Sequence, residues 1–386
     1  MVININENIK CIYINDDKLD LFEGQFPIAN GITYNTYIVF DNKIAVLDTV
    51  DQRFSDVWMS ELNHQLGHRE PDYLIIHHME PDHSGSLKIF LQKYRNTLVV
   101  GNFKTFQMIK NFFFELPKER MVVIYENDIL DLGNEKLKFI LSPMVHWPEV
   151  MMSYSLESKI FFSADAFGKF GDFDFNNDWL EEARRYYFGI VGKYGFQTNN
   201  LIKKIENLDI KMICPLHGSI LSKSIKTYID LYRKWANYEF EKDGVLIVYT
   251  SIYGNTKKAV DYLVKLFEIY NFEFKVFDIA RCDIYEAIQN AFKYKKIIIA
   301  TTTYNNDIFP IMKYFLNLLA DRNYQNRVVG IIENGTWAPA VVKVIKSILD
   351  KSKDLVYAKN IVYMLSSLKE DNLKQIELLA EEIVNL

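Results

Sequence analysis

The sequence predicts two α/β domains in tandem, and three observations carry that prediction. The chain has 386 residues, more than one hydrophobic core usually serves. From about residue 243 onward, five apolar runs alternate with helical stretches, the pattern of a doubly wound parallel sheet. Before that point, residues able to ligate a metal stand just after several short apolar runs. Ligands in that position converge at the carboxyl ends of strands, where α/β folds place their sites.

In the first domain, Tyr73-Leu74-Ile75-Ile76 reads as a buried strand. It ends in His78-Met79-Glu80-Pro81-Asp82-His83, where Pro81 and Gly85 break regular structure and aim several side chains into one space, with a helix starting at Ser84. Similar strands precede three further candidates: Leu137 to Leu141 before His146, Ile160 to Phe162 before Asp165, and Lys211 to Cys214 before His217. Together these are four imidazoles and three carboxylates, enough for two metal ions that share one carboxylate. A zinc hydrolase site would be richer in histidine. Three carboxylates with four imidazoles suit iron or manganese, and iron where a diatomic gas is the substrate. His77 must point away from His78 on an extended chain, toward packing or support. His64 and His68 are spaced to share one face of a predicted helix, without the glutamate of a zinc-protease motif, and read as a solvated face.

A helix over Ser222 to Glu241, closed by a turn at Lys242-Asp243-Gly244, puts the domain boundary between 242 and 243. The domains are then 1–242 and 243–386. The second opens with Val245 to Tyr249, an unbroken apolar strand of the kind buried on both faces, and continues with strands at Phe272 to Phe277, Lys296 to Ala300, Val328 to Ile332 and Ile361 to Leu365. Three loops at strand ends carry the candidate cofactor chemistry. In Ser251-Ile252-Tyr253-Gly254-Asn255-Thr256, the start of a helix and two hydroxyls form a socket for one phosphate without lysine or arginine. Neither a nucleoside-triphosphate loop nor a dinucleotide fingerprint is present, so the ligand is a mononucleotide. Thr302-Thr303-Tyr304-Asn305-Asn306 and Asn334-Gly335-Thr336-Trp337 follow the third and fourth strands at the mouth of the sheet. Trp337 fits either a core position or contact with a bound ring.

The H-x-E-x-D-H cluster, with His146, Asp165 and the Pro-Leu-His-Gly step at His217, closely resembles the metallo-β-lactamase-like domain of flavodiiron proteins, and the resemblance runs over essentially the whole chain. It implies an N-terminal metallo-β-lactamase-like αββα sandwich followed by a flavodoxin-like, five-stranded, doubly wound parallel sheet. By this likeness His78, Glu80 and His146 bind one iron, Asp82, His83 and His217 the other, and Asp165 bridges. The phosphate loop resembles that of flavodoxins, with Tyr253 where threonine is usual, and implies FMN. Tyr-Asn-Asn at 304–306 resembles the flavodiiron form, whereas Glu-Asn-Gly-Thr-Trp departs from the Ser-Tyr-Gly-Trp of many relatives. Tyr194 matches a tyrosine near the diiron centre of relatives, which implies a proton-donating or gating role. Glu23 and Phe26 are further candidates for the wall of the metal pocket.

The family resemblance implies reduction of O2 to water, NO to N2O, or both, with electrons relayed through FMN, and a head-to-tail homodimer or a dimer of such dimers. Two rivals differ in class: a zinc-dependent hydrolase fused to a flavodoxin domain, and an electron carrier whose metals are structural. A net charge of −5 gives no footprint for nucleic acid or an anionic membrane. Residues 1–10 are polar, unlike a signal peptide, and no segment is apolar for long enough to span a bilayer. Three widely spaced cysteines, Cys11, Cys214 and Cys282, point to a reducing cytoplasm. No C-x-x-C pair occurs, so the expected electron donor is a separate, rubredoxin-like protein.

Overall fold

A computed structural model describes residues 1–173 and 179–386. The described chain divides into two compact units, Met1–Arg233 and Lys234–Leu386.

The first unit is built on two sheets. One has seven strands, in the order Val2–Asn4, Ile9–Asp16, Ile32–Val39, Ala45–Leu47, Tyr73–Ile75, Leu98–Gly101 and Met121–Val123. The other has five, in the order Ile129–Asp131, Lys136–Leu141, Met151–Ser155, Ile160–Phe162 and Met212–Cys214. Helix Ser55–Leu66 packs on Ile9–Asp16, and helix Phe103–Phe112 on Leu98–Gly101. Side chains between the sheets are apolar and close: the rings of Tyr37 and Phe162 lie 5.2 Å apart. The parallel pairing of Ala45–Leu47, Tyr73–Ile75 and Leu98–Gly101 aligns their carboxyl ends, as does that of Ile160–Phe162 with Met212–Cys214. Loops from both sheets therefore open at one edge.

The second unit is a parallel sheet in the order Phe274–Asp278, Lys242–Tyr249, Tyr294–Tyr304, Arg327–Asn334 and Leu355–Tyr357. Numbered along the chain this is 2-1-3-4-5, with the switch point between the first and third strands. Val245 and Ile247 pack with Leu263 and Phe267 of helix Asn255–Ile269 and with Ile376, Leu379 and Ile383 of helix Glu370–Asn385. All are buried, which is why the central strands read as unbroken apolar runs.

Several boundaries differ from the sequence reading. The helix expected over 222–241 spans Ile225–Ala236, and the expected turn at Lys242-Asp243 is the start of the first strand. There, Lys296 Nζ sits 2.8 Å from Asp243 Oδ1. The fifth strand is split into Leu355–Tyr357 and Val362–Met364, both paired with Arg327–Asn334. Thr302 to Tyr304 extend the third strand and pair back on Asp307–Ile308. Asn305 and Asn306 make that hairpin turn at φ 49° and 60°, left-handed geometry that asparagine tolerates. His68 lies beyond the end of helix Ser55–Leu66, so it does not share a helical face with His64. Among the described residues no helix is long and apolar enough to cross a membrane.

Candidate metal and flavin sites

The loop after Tyr73–Ile75 is stitched to the loop after Ala45–Leu47. Thr49 donates to the His83 carbonyl through both N–H (2.9 Å) and hydroxyl (2.8 Å), Ser86 N–H donates to Val50 O (3.0 Å), and Ser84 Oγ donates to Met79 O (2.8 Å). Pro81 opens the single helical turn Pro81–Ser84. Gly85 follows because a Cβ there would lie 2.5 Å from Pro81 O and 2.6 Å from Gln52 N. The His217 loop is held from the opposite sheet. Asn35 Nδ2 donates to the carbonyls of Pro215 and Gly218 at 2.9 and 2.8 Å, and Tyr37 Oη donates to Pro215 O at 2.6 Å.

These loops bring all seven expected ligands together in two groups, His78, Glu80, His146 and Asp165 in one, and Asp82, His83 and His217 in the other. Asp165 serves both. Its Oδ2 lies 2.9 Å from His146 Nε2 and 3.5 Å from His78 Nε2, and its Oδ1 lies 3.2 Å from His83 Nε2 and 3.8 Å from His217 Nε2. Glu80 Oε2 is 3.1 Å from both His78 Nε2 and His146 Nε2, while Asp82 Oδ2 is 3.3 and 3.4 Å from the Nε2 atoms of His83 and His217.

The donor set fits two cations. Among the described residues both carboxylate oxygens of Asp82, Oδ1 of Asp165 and Nδ1 of His83 are buried without a hydrogen-bond partner, a costly arrangement unless something else satisfies the oxygens. The Nε2 atoms of His83 and His217 stand 3.0 Å apart. His217 Nδ1 lies 2.6 Å from Thr33 O, an acceptor only, so Nδ1 carries a hydrogen and Nε2 is the atom left to face a cation. Without metal the cluster is an ion network. Burial opposes charge on His146, but hydrogen bonds to Asp165 and Glu80 outweigh it and push its pKa up to about 9. Burial likewise disfavours the Asp165 carboxylate, yet His78 and His83 hold its pKa well below the usual range. A metal entering here displaces protons and keeps the carboxylates it needs.

His77 points away from the cluster as expected: its Nδ1 meets Asp48 Oδ2 at 2.6 Å and its Nε2 meets Ser153 Oγ at 2.9 Å. Among the described residues two tyrosines pack their rings on the cluster, Tyr34 at 6.0 Å from His217 and Tyr186, rather than Tyr194. Tyr186 is fully buried at the end of helix Trp179–Tyr186, its ring 5.5 Å from that of His217, and its hydroxyl has no hydrogen-bond partner among the described residues. Tyr194 is half-buried at the start of helix Gly195–Ile205, where its carbonyl accepts a bond from Thr198. Helix register decides between the two positions, and the sequence carries no local mark for it. Phe22 places its ring edge on His217 at 5.5 Å, while Phe26 packs behind it on Phe170. Glu23, at the exposed tip of that hairpin, feels the charges of Glu80 and His146. Glu149, which the sequence reading passed over, bonds His78 directly. Its only signal is a carboxylate set against the apolar run Val150-Met151-Met152.

In the second unit a cavity of about 690 Å³ opens at the switch point. It is lined by Ser251, Ile252, Tyr253, Asn255 and Thr256, by Thr302, Thr303, Tyr304, Asn305 and Asn306, and by Asn334, Gly335, Thr336, Trp337 and Ser366. Every expected flavin residue but Gly254 is on this wall. Gly254 instead shapes the loop, at φ 82° just before helix Asn255–Ile269. Ser251 Oγ accepts from Lys257 N–H at 3.2 Å, which leaves its own hydrogen free to donate. Gly335 is required by a close approach, since a Cβ there would lie 2.8 Å from Thr303 Oγ1. Asn334 ties three loops together: Nδ2 donates to Thr256 Oγ1 (3.2 Å) and Ser366 O (3.0 Å), and Oδ1 accepts from Ser366 N–H (3.1 Å). Trp337 is 77% exposed and Tyr253 90%, which excludes a core position for Trp337 and makes both rim residues. The wall carries hydroxyls, amides and helix-start N–H groups with no charged side chain, which suits a phosphate and a flat heteroaromatic ring such as those of FMN.

Residues 32–218 match the family model described as ODP family beta lactamase. The chain is 28% identical over 355 residues to the anaerobic nitric oxide reductase flavorubredoxin of Salmonella paratyphi B, covering 89% of this chain and 74% of that protein. Among solved structures it is similar to rubredoxin oxygen:oxidoreductase from Desulfovibrio gigas, with a TM-score of 0.92, 22% identity, and coverage of 100% of this chain and 98% of that one. The flavodiiron protein from Giardia intestinalis also superposes with a TM-score of 0.92 and 22% identity, over 100% of this chain and 97% of that one. Residues 32–218 thus carry an ODP-type β-lactamase-like domain, a flavodoxin-like parallel sheet follows it, and in both parts the chain has the fold seen in flavodiiron proteins.

Proposed function

We propose that this chain reduces O2 to water, NO to N2O, or both, using two iron ions and FMN. The observation that carries the reading is Asp165, which turns one carboxylate oxygen to each of two histidine-containing ligand groups. His78, Glu80 and His146 would hold one iron, Asp82, His83 and His217 the other, and the cavity wall from Ser251 to Ser366 would hold FMN. When bound, the irons supply open coordination positions and electrons to the diatomic, and FMN relays electrons from the donor. Reduction of O2 to two waters takes four electrons and four protons; reduction of two NO to N2O and water takes two of each.

The protein's own part is to bind, exclude water and supply a hydrogen bond. Phe22 and Tyr186 close over His217, which keeps bulk solvent from that side of the cluster. Burial and the charges of Asp165, Glu80 and Asp82 hold the Tyr186 pKa well above that of a free phenol. Its hydroxyl therefore stays protonated, and with no hydrogen-bond partner among the described residues it can donate to an oxygen atom at the cluster. The role implied for Tyr194 passes to Tyr186 on this reading.

We assign the working domains to the two units 1–233 and 234–386, a boundary somewhat before the 242/243 expected from the sequence, the electron donor to a separate rubredoxin-like protein, the setting to the cytoplasm, and the active unit to a head-to-tail homodimer or a dimer of such dimers. Complementation tests the dimer. Mixing Asp165→Ala chains with Ser251→Asp chains should restore activity if flavin and metals work across subunits, and mixed dimers that stay inactive would refute it. The function itself is tested by analysis of protein produced with abundant iron. About two irons and one FMN per chain, with consumption of O2 or NO when a reduced donor is supplied, are expected. Stoichiometric zinc without gas consumption would point to the hydrolase reading instead.

A further inference from the structure

We propose that Glu149 is a positioning residue that fixes the hydrogen of His78 on Nδ1 and strengthens that imidazole as a metal ligand, so that the two metal positions are unequal in potential. The proposal rests on the reading of His78 as a ligand. Glu149 Oε1 accepts two hydrogen bonds at once, from His78 Nδ1 at 2.9 Å and from Met79 N–H at 2.8 Å. Its side chain is completely buried, and Oε2 has no hydrogen-bond partner. The residue is held from another element, because Asn102, which caps helix Phe103–Phe112, donates through Nδ2 to the Glu149 carbonyl at 2.6 Å. His78 is thus the charge partner of a buried carboxylate.

A carboxylate only accepts, so Nδ1 must carry a hydrogen, and Nε2, which faces Glu80 and Asp165, is the atom left for a metal. A full negative charge behind Nδ1 pulls that hydrogen and makes Nε2 a stronger electron donor to the metal. Among the described residues the other group has no equivalent. His217 Nδ1 faces the neutral carbonyl of Thr33, and His83 Nδ1 has no hydrogen-bond partner. The position at His78, Glu80 and His146 therefore favours the higher oxidation state more than its neighbour does.

Asp48 is the internal control. It too is a buried carboxylate behind the ligand strand, accepting from His77 N–H (2.7 Å), His78 N–H (3.2 Å) and His77 Nδ1 (2.6 Å), but it touches no ligand ring. Glu149→Gln can keep an oxygen acceptor for both donors while removing the charge; Asp48→Asn removes a charge of the same size nearby. The experiment is a redox titration of iron-loaded protein followed by the paramagnetic signal of the half-reduced iron pair, together with the rate of iron loss to a chelator. Glu149→Gln should shrink the maximum half-reduced population and speed iron loss by about 10- to 100-fold, as neutralising the partner of a metal-bound histidine typically does. Asp48→Asn should leave the half-reduced population as in the wild type. Wild-type populations in Glu149→Gln, or equal loss in both variants, would overturn the proposal. A wild-type protein that binds no iron pair would instead overturn the reading of the site, and is seen before either variant is made.

Discussion

The metal cluster and the flavin cavity solve opposite problems. Five of the seven candidate metal ligands are essentially sealed from solvent, and Glu80 and Asp82 nearly so. They are mutually charged and fixed by loops of both sheets. The flavin cavity has a neutral wall and exposed aromatics at its rim. Charges buried together cost several kcal/mol each unless every one is compensated, so losing one member disturbs all. Neutral donors at a helix start make weaker, more independent contributions. The metal site should therefore fail cooperatively, and the flavin site residue by residue.

The largest effect should come from Asp165→Ala. It removes the carboxylate shared by both groups and leaves four histidines with two carboxylates. Iron content should fall to near zero, measured per chain by elemental analysis, while FMN binding and flavin reduction persist. Ser251→Asp should come next, placing a carboxylate against the phosphate. We expect FMN affinity to fall by about tenfold or more, roughly 1.4 kcal/mol or above, by fluorescence titration, with iron content unchanged. Loss of both cofactors from either variant would break the contrast.

Tyr186→Phe sharpens it from inside the metal site. The hydroxyl it removes has no hydrogen-bond partner among the described residues, so stability should hold or rise slightly, by up to about 1 kcal/mol in thermal or denaturant unfolding. Turnover should fall by about 100-fold if the phenol donates to the reacting oxygen. A large loss of stability with normal turnover would mean that the residue is merely packing. The smallest effect belongs to Trp337→Ala. At 77% exposure it should change stability by less than about 0.5 kcal/mol and be felt only in FMN affinity.

The parts legible in the sequence are those encoded by neighbours along the chain. His78 to His83 lie in one short loop, and His146, Asp165 and His217 each follow an apolar run that ends where the structure ends its strand. The phosphate loop is equally local. What the sequence hides arrives from far away. Asn35 and Tyr37 hold the His217 loop from the facing sheet, and Asp48 grips the His78 loop from a neighbouring strand. Glu149 reaches His78 from a segment far along the chain. Ser366 joins the flavin cavity only because the fifth strand is split and returns to the mouth of the sheet. Tyr186 is the same kind of case, since helix register rather than sequence distance selects the phenol that meets His217.

The most direct test is to reduce the FMN anaerobically in wild type and in Asp165→Ala, mix each with O2 or NO in a stopped-flow spectrometer, and record flavin reoxidation. If electrons leave FMN through the metal cluster, the wild type should reoxidise within milliseconds to seconds with at least one of the two gases. Asp165→Ala, with its flavin intact, should be slower by several orders of magnitude. Equal reoxidation rates in the two proteins would contradict the account, because they would mean that the flavin reacts with the gas on its own and the cluster takes no part.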